Sequence, residues 1–512
     1  MIRVAETENG LVRGIEAADP RITAFKGIPF AAPPVGENRW RAPQPAENWD
    51  GIRDASRFAP IAMQSTPGLG TDVYCREWHV DPEIPMDEDC LYLNVWTSAK
   101  DTSERQPVLV WYFGGALQWG YPSEMEFDGE RIARRGVVVV TVNYRINVFG
   151  FLAHPELTKE APEAPTNFGN LDQQAGLRWV SRNIAAFGGD PDNVTIAGQS
   201  AGGGSVLTQM TCPDNFGLFH KAVIMSAMIR SPYGEVSVGV PKPLGSAEKQ
   251  GEEFFEILGV KTLEEARKLD ANFIRDRYDE FMRKNGMRLD RMMVTALDNN
   301  ICVGDPIKLF AEGKYGDVPV MSGNTPDEFP NLIHVEQEEE LEERTRELFG
   351  DRAERFLQFP EARRKTEEGF APVSGIECTV KSSFLLNQKS EHPRDCYYYR
   401  FAPDIPGEDN PGVFHSVDLW FFFETLAKCW RPFVGRHYDL SRQMCNYWTN
   451  FIKTGNPNGR DVDGSEMPHW DSYQEAHRSE MVFSPDGSYA QTGCESEFVQ
   501  FLIDDIMRQL RK

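Results

Sequence analysis

The chain has 512 residues, with 54 Lys and Arg against 78 Asp and Glu and a formal net charge of −24, so it lacks the cationic excess that displaces counterions from nucleic acid. A hydrophobic fraction of 40% and an aromatic fraction of 11% exclude an acidic disordered chain and are enough to build a large core. No run of about 18 apolar residues is free of charge, and the first residues, MIRVAETENGLVRG, do not pair a basic segment with an apolar one; neither a membrane span nor a secretory leader is expected, and the cytoplasm is the expected compartment.

In chain order, short β-branched and aromatic runs recur at 108–112 (VLVWY), 137–143 (VVVVTVN), 194–198 (VTIAG), 222–226 (AVIMS), 318–322 (VPVMS) and 396–401 (CYYYRF). Helical spacing links Leu171, Ala175, Leu177, Val180 and Ile184, and again Leu440, Met444, Tyr447, Trp448, Phe451 and Ile452. Continuous apolar strands alternating with helices predict an α/β fold, a mostly parallel sheet covered on both faces. Segments 245–293 and 335–368 break the rhythm with dense charge at helical spacing. They read as solvated helices, or alternatively as a helical roof over a site. Phe498, Val499, Leu502, Ile503, Ile506 and Leu510 predict an amphipathic closing helix that packs on the core rather than a membrane anchor.

Nine cysteines (75, 90, 212, 302, 378, 396, 429, 445 and 494) are scattered without a C-x-x-C pair, so no metal site or disulfide framework is expected and the thiols read as reduced. The sequon at Asn193 falls in the run read as a buried strand, which argues against glycosylation there.

The sharpest chemical signal is Gly198-Gln199-Ser200-Ala201-Gly202, directly after one strand and before a helix-compatible run of small residues. A serine on a tight strand-to-helix turn is held exposed, the glycines relieve the turn of Cβ clashes, and the helix N-terminus favours developing negative charge. Ser200 is the candidate nucleophile. Upstream, VLVWY runs into Phe113-Gly114-Gly115-Ala116-Leu117. A lone Gly-Gly is usually an ordinary turn, but beside a serine elbow it can aim successive backbone N–H groups at an oxyanion.

With these residues in view, the chain resembles the type-B carboxylesterase or cholinesterase-like family of α/β-hydrolases. The matching blocks include FKGIPFAAPPVGENRWRAPQP near 25, MDEDCLYLNVW at 86, VNYRINVFGFL at 142, NLDQQAGLRWVSRNIAAFGGDPDNVTIAGQSAGG at 170, SGNTPDEF at 322, GVFHSVDLWFFF at 412 and YWTNFIKTGNPNG at 447. The resemblance implies one α/β-hydrolase domain over residues 1–512, with long helical insertions above the active site, and ester hydrolysis without metal or organic cofactor. It implies Ser200 as nucleophile, Glu328 as acid and His415 as base, with N–H donors from Gly115, Ala116 and Ala201. The order Ser, Glu, His agrees with the hydrolase pattern. His220, Asp327 and Asp418 are the rivals among the residue types themselves.

Three positions depart from the family. Ala116 stands where a third glycine is usual, so a Cβ narrows the space beside the reacting carbonyl and is expected to disfavour tertiary-alcohol esters. Gln199 replaces a common glutamate and removes a negative charge beside the histidine. Cys90 matches a position that secreted relatives bridge, with Cys75 the nearby candidate, but both are expected reduced. Trp78 lies in a loop that carries a choline-binding tryptophan in cholinesterases; it reads here as an aromatic covering apolar surface. The resemblance also marks Arg39 and Glu88 as a structural ion pair, and Ser226 as a residue that helps to position His415. Leu117, Trp119, Phe329 and Trp420 to Phe423 are candidate pocket walls, with Leu117, Phe329 and Trp420 the substrate-binding set.

The sequence thus predicts a serine carboxylic-ester hydrolase for small to medium uncharged esters, its partner a small-molecule ester and neither nucleic acid nor membrane. A lipase-like esterase for longer acyl chains is the nearer alternative, and a catalytically inactive cholinesterase-like binding protein the more distant one.

Overall fold

The computed structural model describes residues 1–233, 240–335 and 337–511. Its centre is an 11-stranded sheet. In chain order its strands are β1 (Ile15–Glu16), β2 (Thr23–Pro29), β3 (Tyr92–Thr97), β4 (Gln106–Tyr112), β5 (Val138–Val142), β6 (Gly189–Gln199), β7 (Lys221–Met225), β8 (Val320–Asn324), β9 (Cys396–Phe401), β10 (Ser479–Ser484) and β11 (Gly487–Thr492). The spatial order is β11-β10-β9-β8-β7-β6-β4-β5-β3-β2-β1. Strands from β5 to β10 in that order pair in parallel, and antiparallel pairs finish both edges.

The parallel strands are apolar on both faces because helices cover both: β5 and β7 are buried at every position. The expected strands at 108–112, 194–198 and 396–401 all lie inside observed ones. Helices α1 (Phe168–Asn183) and α2 (Ala201–Thr211) flank β6 in sequence. The register sets Tyr112 of β4 opposite Gly198 of β6, Gln199 opposite Met225 of β7, and Met225 opposite Gly323 of β8. Four strands therefore end level, and the loops leaving them converge at one edge, where a doubly covered parallel sheet holds its ligands.

The two charged segments behave differently. The first folds into α3 (Leu244–Leu258) and α4 (Ala271–Lys284), the latter capped by Asp270, whose carboxylate accepts from the Asn272 and Phe273 N–H groups. It contributes Gln250, Arg291 and Met292 to the wall of the central cavity. Among its described residues the second, with α5 (Glu338–Phe349), supplies no lining residue to that cavity. Phe349 and Phe356 instead pack on Phe501 and Phe498 of the C-terminal helix α6 (Glu497–Leu510), with ring centroids 5.3 and 5.7 Å apart. The roof expected over the site is thus built by one insertion, and the other extends the core under the closing helix.

Arg39 and Glu88 form the expected buried pair, bidentate at 2.6 and 2.5 Å. The remaining Arg39 nitrogen donates to the carbonyl of Leu269 at 2.7 Å, tying the first insertion to the main body. All nine cysteines are unpaired. Among the described residues no helix is long and apolar enough to cross a membrane.

Candidate active site

Ser200 joins β6 to α2 with φ 54° and ψ −127°, a conformation L-residues rarely adopt. The flanking glycines make it possible: a Cβ on Gly198 would overlap the Gly202 carbonyl, and one on Gly202 would overlap the Tyr112 and Phe113 carbonyls. The chain thus presses the first turn of α2 against the end of β4, and the serine is left at the crest.

The loop after β4 is bent by three successive positive φ values, 101° at Gly115, 55° at Ala116 and 60° at Leu117. It is braced from below. The Phe113 ring stacks on Tyr144 at 4.2 Å, and the Tyr144 hydroxyl donates to the Phe113 carbonyl at 2.6 Å. The N–H groups of Gly115, Ala116 and Ala201 meet no acceptor among the described residues, while all three residues line the cavity that contains Ser200. Unmet donors at a helix N-terminus and on a glycine turn are suited to an anionic oxygen.

Glu328 lies in the loop after β8 and His415 in the loop between β9 and the short helix Asp418–Phe422. His415 Nδ1 is 2.5 Å from Glu328 Oε2, and the Thr325 N–H donates to Oε1 of the same carboxylate at 3.1 Å. Burial opposes charge on Glu328, but chiefly the His415 ring, together with the Thr325 N–H, holds its carboxyl below the ordinary glutamate range. Burial likewise opposes charge on His415, and the facing Glu328 carboxylate outweighs it, so the imidazole is held above its usual pKa. Ser226 is fully buried and its hydroxyl forms no hydrogen bond among the described residues.

The rivals have other partners. The Asp327 carboxylate accepts the Val413 N–H at 2.7 Å, which pins the loop carrying His415. His220 accepts the Val194 N–H at 3.1 Å and is absent from the cavity wall. Asp418 is buried and accepts the Tyr399 hydroxyl at 3.0 Å; burial and then the Glu328 charge push it up to about 7. With Nδ1 facing a carboxylate, His415 presents Nε2 as its basic atom. That atom lies 3.2 Å from the Gln199 amide nitrogen. A Ser200–His415 hydrogen bond is not formed in this structure, although both residues line the same cavity; such bonds are commonly loose until substrate binds.

The cavity measures about 1280 Å³. Leu117, Trp119 and Phe329 line it, Phe329 at 61% exposure with its ring 4.9 Å from that of His415. Trp420 does not. It is fully buried, and its indole N–H donates to Glu77 at 3.2 Å; Leu419, one residue earlier and so on another face of the short helix, reaches the cavity instead. Phe421, Phe422 and Phe423 are core residues too. Trp78 is also different from its expected surface role. It is 5% exposed and forms part of the cavity wall, packed between Phe414 and Trp420. The sequence reading also passed over Glu124 and Glu126, two buried carboxyls in that wall.

Comparison with known proteins matches this architecture throughout. The profile of the carboxylesterase family matches residues 2–502. The chain is 32% identical over 498 residues to the para-nitrobenzyl esterase of Bacillus subtilis (strain 168), covering 94% of each protein. It is 30% identical over 495 residues to the fumonisin B1 esterase of Sphingopyxis macrogoltabida, covering 92% of this chain and 84% of that one. Among solved structures, a PNB esterase superposes with a TM-score of 0.77 at 30% identity, covering 98% of this chain and 100% of the other. A carboxylesterase of Geobacillus stearothermophilus superposes with a TM-score of 0.74 at 30% identity, covering 96% and 98%. An α/β-hydrolase sheet, a strained serine elbow at its carboxyl edge and this whole-chain similarity lead to one conclusion: the chain belongs to the carboxylesterase family and is a hydrolase of carboxylic esters.

Proposed function

We propose that the protein cleaves small to medium uncharged esters through an acyl-enzyme on Ser200. His415 Nε2 takes the serine proton as Oγ attacks the ester carbonyl, and Glu328 orients the ring and stabilises the imidazolium. The N–H groups of Gly115, Ala116 and Ala201 receive the oxyanion. The same histidine returns its proton to the departing alcohol and then activates the water that releases the acid. The observation that carries this reading is the 2.5 Å contact of His415 Nδ1 with Glu328, made by a histidine that lines the cavity holding the strained serine. Apolar residues lining the same cavity as Ser200, among them Leu117, Leu207, Ala227 and Ile229, support a neutral acyl group. The domain reading of 1–512 as one unit rests on the continuous sheet. Nine unpaired thiols support a reducing compartment such as the cytoplasm.

The test is hydrolysis of p-nitrophenyl acetate, butyrate, octanoate and palmitate by the wild type and Ser200→Ala, with intact-mass analysis after a fluorophosphonate. Turnover of the short esters, lost in the variant, with one adduct mapped to Ser200, is the expected result. Adduct formation on another residue, or undiminished turnover by the variant, overturns the assignment. A preference for palmitate that rises at an oil–water interface would favour the lipase-like alternative.

A further inference from the structure

The connection between β2 and β3 carries a short helix, Val73–Glu77, and Tyr74, Cys75, Trp78 and His79 in and after it line the catalytic cavity. Its two cysteines, Cys75 and Cys90, are unpaired, so no disulfide closes it. Across from this helix runs segment 406–431, which contains His415. One carboxylate joins the two. Glu77 is 1% exposed, and its Oε1 accepts from Arg431 Nε at 2.7 Å and from the Trp430 indole at 3.2 Å. Its Oε2 accepts from the Trp420 indole at 3.2 Å and from the Cys429 thiol at 3.3 Å. All four donors belong to the chain that follows His415.

Arg431 extends the tie to the chain that precedes His415. Its Nη1 donates to the Pro406 carbonyl at 3.0 Å and to Asp409 Oδ1 at 2.9 Å, and its Nη2 to Asp409 Oδ2 at 3.1 Å while lying 2.7 Å from Glu77 Oε1. With Nε on Glu77, all five N–H groups of the guanidinium are engaged inside the protein, and none is left for a ligand. The guanidinium also lies 5.5 Å from the ring centroid of Phe414, the residue before His415, and that ring packs on Trp78 and Tyr74 at 6.5 and 6.4 Å. Arg76 approaches Asp409 at 3.5 Å from the same short helix. A buried ion pair adds little net stability over apolar side chains of the same volume, because desolvation offsets the attraction; its best-attested use is to fix one arrangement of the elements it joins. His415 needs such fixing. It stands in a loop, held on one side where Asp327 accepts the Val413 N–H at 2.7 Å, and the Glu77–Arg431 network supplies the other side.

We propose that Glu77, Arg431 and Asp409 form a clasp that positions His415, an inference that rests on the esterase reading of the same cavity. The clasp locks the Val73–Glu77 helix to both flanks of the histidine, so that the imidazole keeps its contact with Glu328 and its place in the cavity of Ser200. None of the three residues takes part in bond making. They act through the loop that carries the base, and a displacement of about 1 Å at a reacting group is enough to cost on the order of a hundredfold in rate.

The experiment measures kcat and KM for p-nitrophenyl acetate, with thermal unfolding, on the wild type, Glu77→Gln, Arg431→Lys and Asp409→Asn. Glu77→Gln and Arg431→Lys should each lower kcat by about tenfold or more while KM changes by less than about threefold, because a small ester does not depend on the cavity wall but does depend on the base. Asp409→Asn, at the outer end of the network where the carboxylate is 18% exposed, should lower kcat by a few-fold in the same sense. If the buried substitutions do not fold, this variant decides the question by the same readouts. Combining Glu77→Gln with Arg431→Lys should cost little more than either alone, since both open one clasp. Proton NMR gives a signature that needs no turnover: the downfield imidazole N–H resonance of His415, identified by its loss in Glu328→Gln, should shift or broaden in the clasp variants. If Ser200 proves unreactive, the esterase reading falls while that resonance still decides the clasp. A lower melting temperature with unchanged kcat and an unchanged resonance marks the network as merely structural and overturns the proposal. A rise in KM with kcat preserved assigns it to the cavity wall around Trp78 and overturns it equally.

Discussion

The Nε2 atom of His415 lies 3.2 Å from the side-chain nitrogen of Gln199, the residue immediately before the nucleophile. Because Nδ1 faces Glu328 at 2.5 Å, Nε2 carries the lone pair, and the Gln199 amide donates to it. An amide donor on the lone pair favours the neutral ring. A glutamate at this position would favour the imidazolium instead.

The pH dependence follows from that pair of contacts. The reaction needs neutral His415, and Glu328 holds its pKa above the usual value. Activity is therefore full at higher pH and is lost as pH falls through a midpoint above about 6.5, the reference histidine value. Gln199→Glu should raise the midpoint of kcat/KM for p-nitrophenyl butyrate by about one unit, a typical effect of an adjacent charge. An unmoved midpoint would remove Gln199 from control of the histidine.

Glu328→Gln preserves size and removes the charge that faces His415. The rate constant kcat should fall by about 10³ to 10⁴, in line with loss of the orienting acid in other serine triads, and the acid-limb midpoint should fall toward the ordinary histidine value. Adding Ser200→Ala to this variant should cost little beyond the serine change alone, because the residues act as a unit. Additive losses in single and double variants would argue against a shared mechanism.

Ala116 carries its Cβ at φ 55° in the wall beside Ser200. Ala116→Gly keeps the N–H donor, relieves a left-handed conformation and widens the space at the carbonyl. Hydrolysis of tert-butyl acetate relative to ethyl acetate should rise by about tenfold or more, equivalent to relief of at least about 1.4 kcal/mol of steric opposition. Equal turnover of the two esters by the wild type would show that the methyl group does not limit access.

Below the site, Arg145 grips Asp172 of α1 through two bonds of 2.7 Å, with both side chains buried. Arg145 follows Tyr144, which braces the loop of Gly115 and Ala116 through the Phe113 carbonyl. Asp172→Ala leaves a buried guanidinium without its counter-charge and should lower unfolding stability by about 3 to 5 kcal/mol. Urea denaturation monitored by tryptophan fluorescence measures this; a loss below about 1 kcal/mol would place the pair among weakly contributing ion pairs.

The sequence by itself determined the α/β class, the serine elbow, the family and the residues that gather at the sheet edge. Each of these is written in local chemistry: β-branched runs form strands, glycines around Ser200 permit one sharp turn, and ordered blocks identify relatives. The tertiary structure decided which neighbours those residues meet. Leu419 rather than Trp420 reaches the cavity because helix phase, set by packing on the core, turns one residue inward and its neighbour toward Glu77. Trp78 became a wall because its loop folds down onto Phe414. The placement of Gln199 against His415 joins positions 216 residues apart in sequence. Local sequence encodes turn and strand preferences strongly, whereas the partner of a buried polar atom is fixed only when distant segments pack.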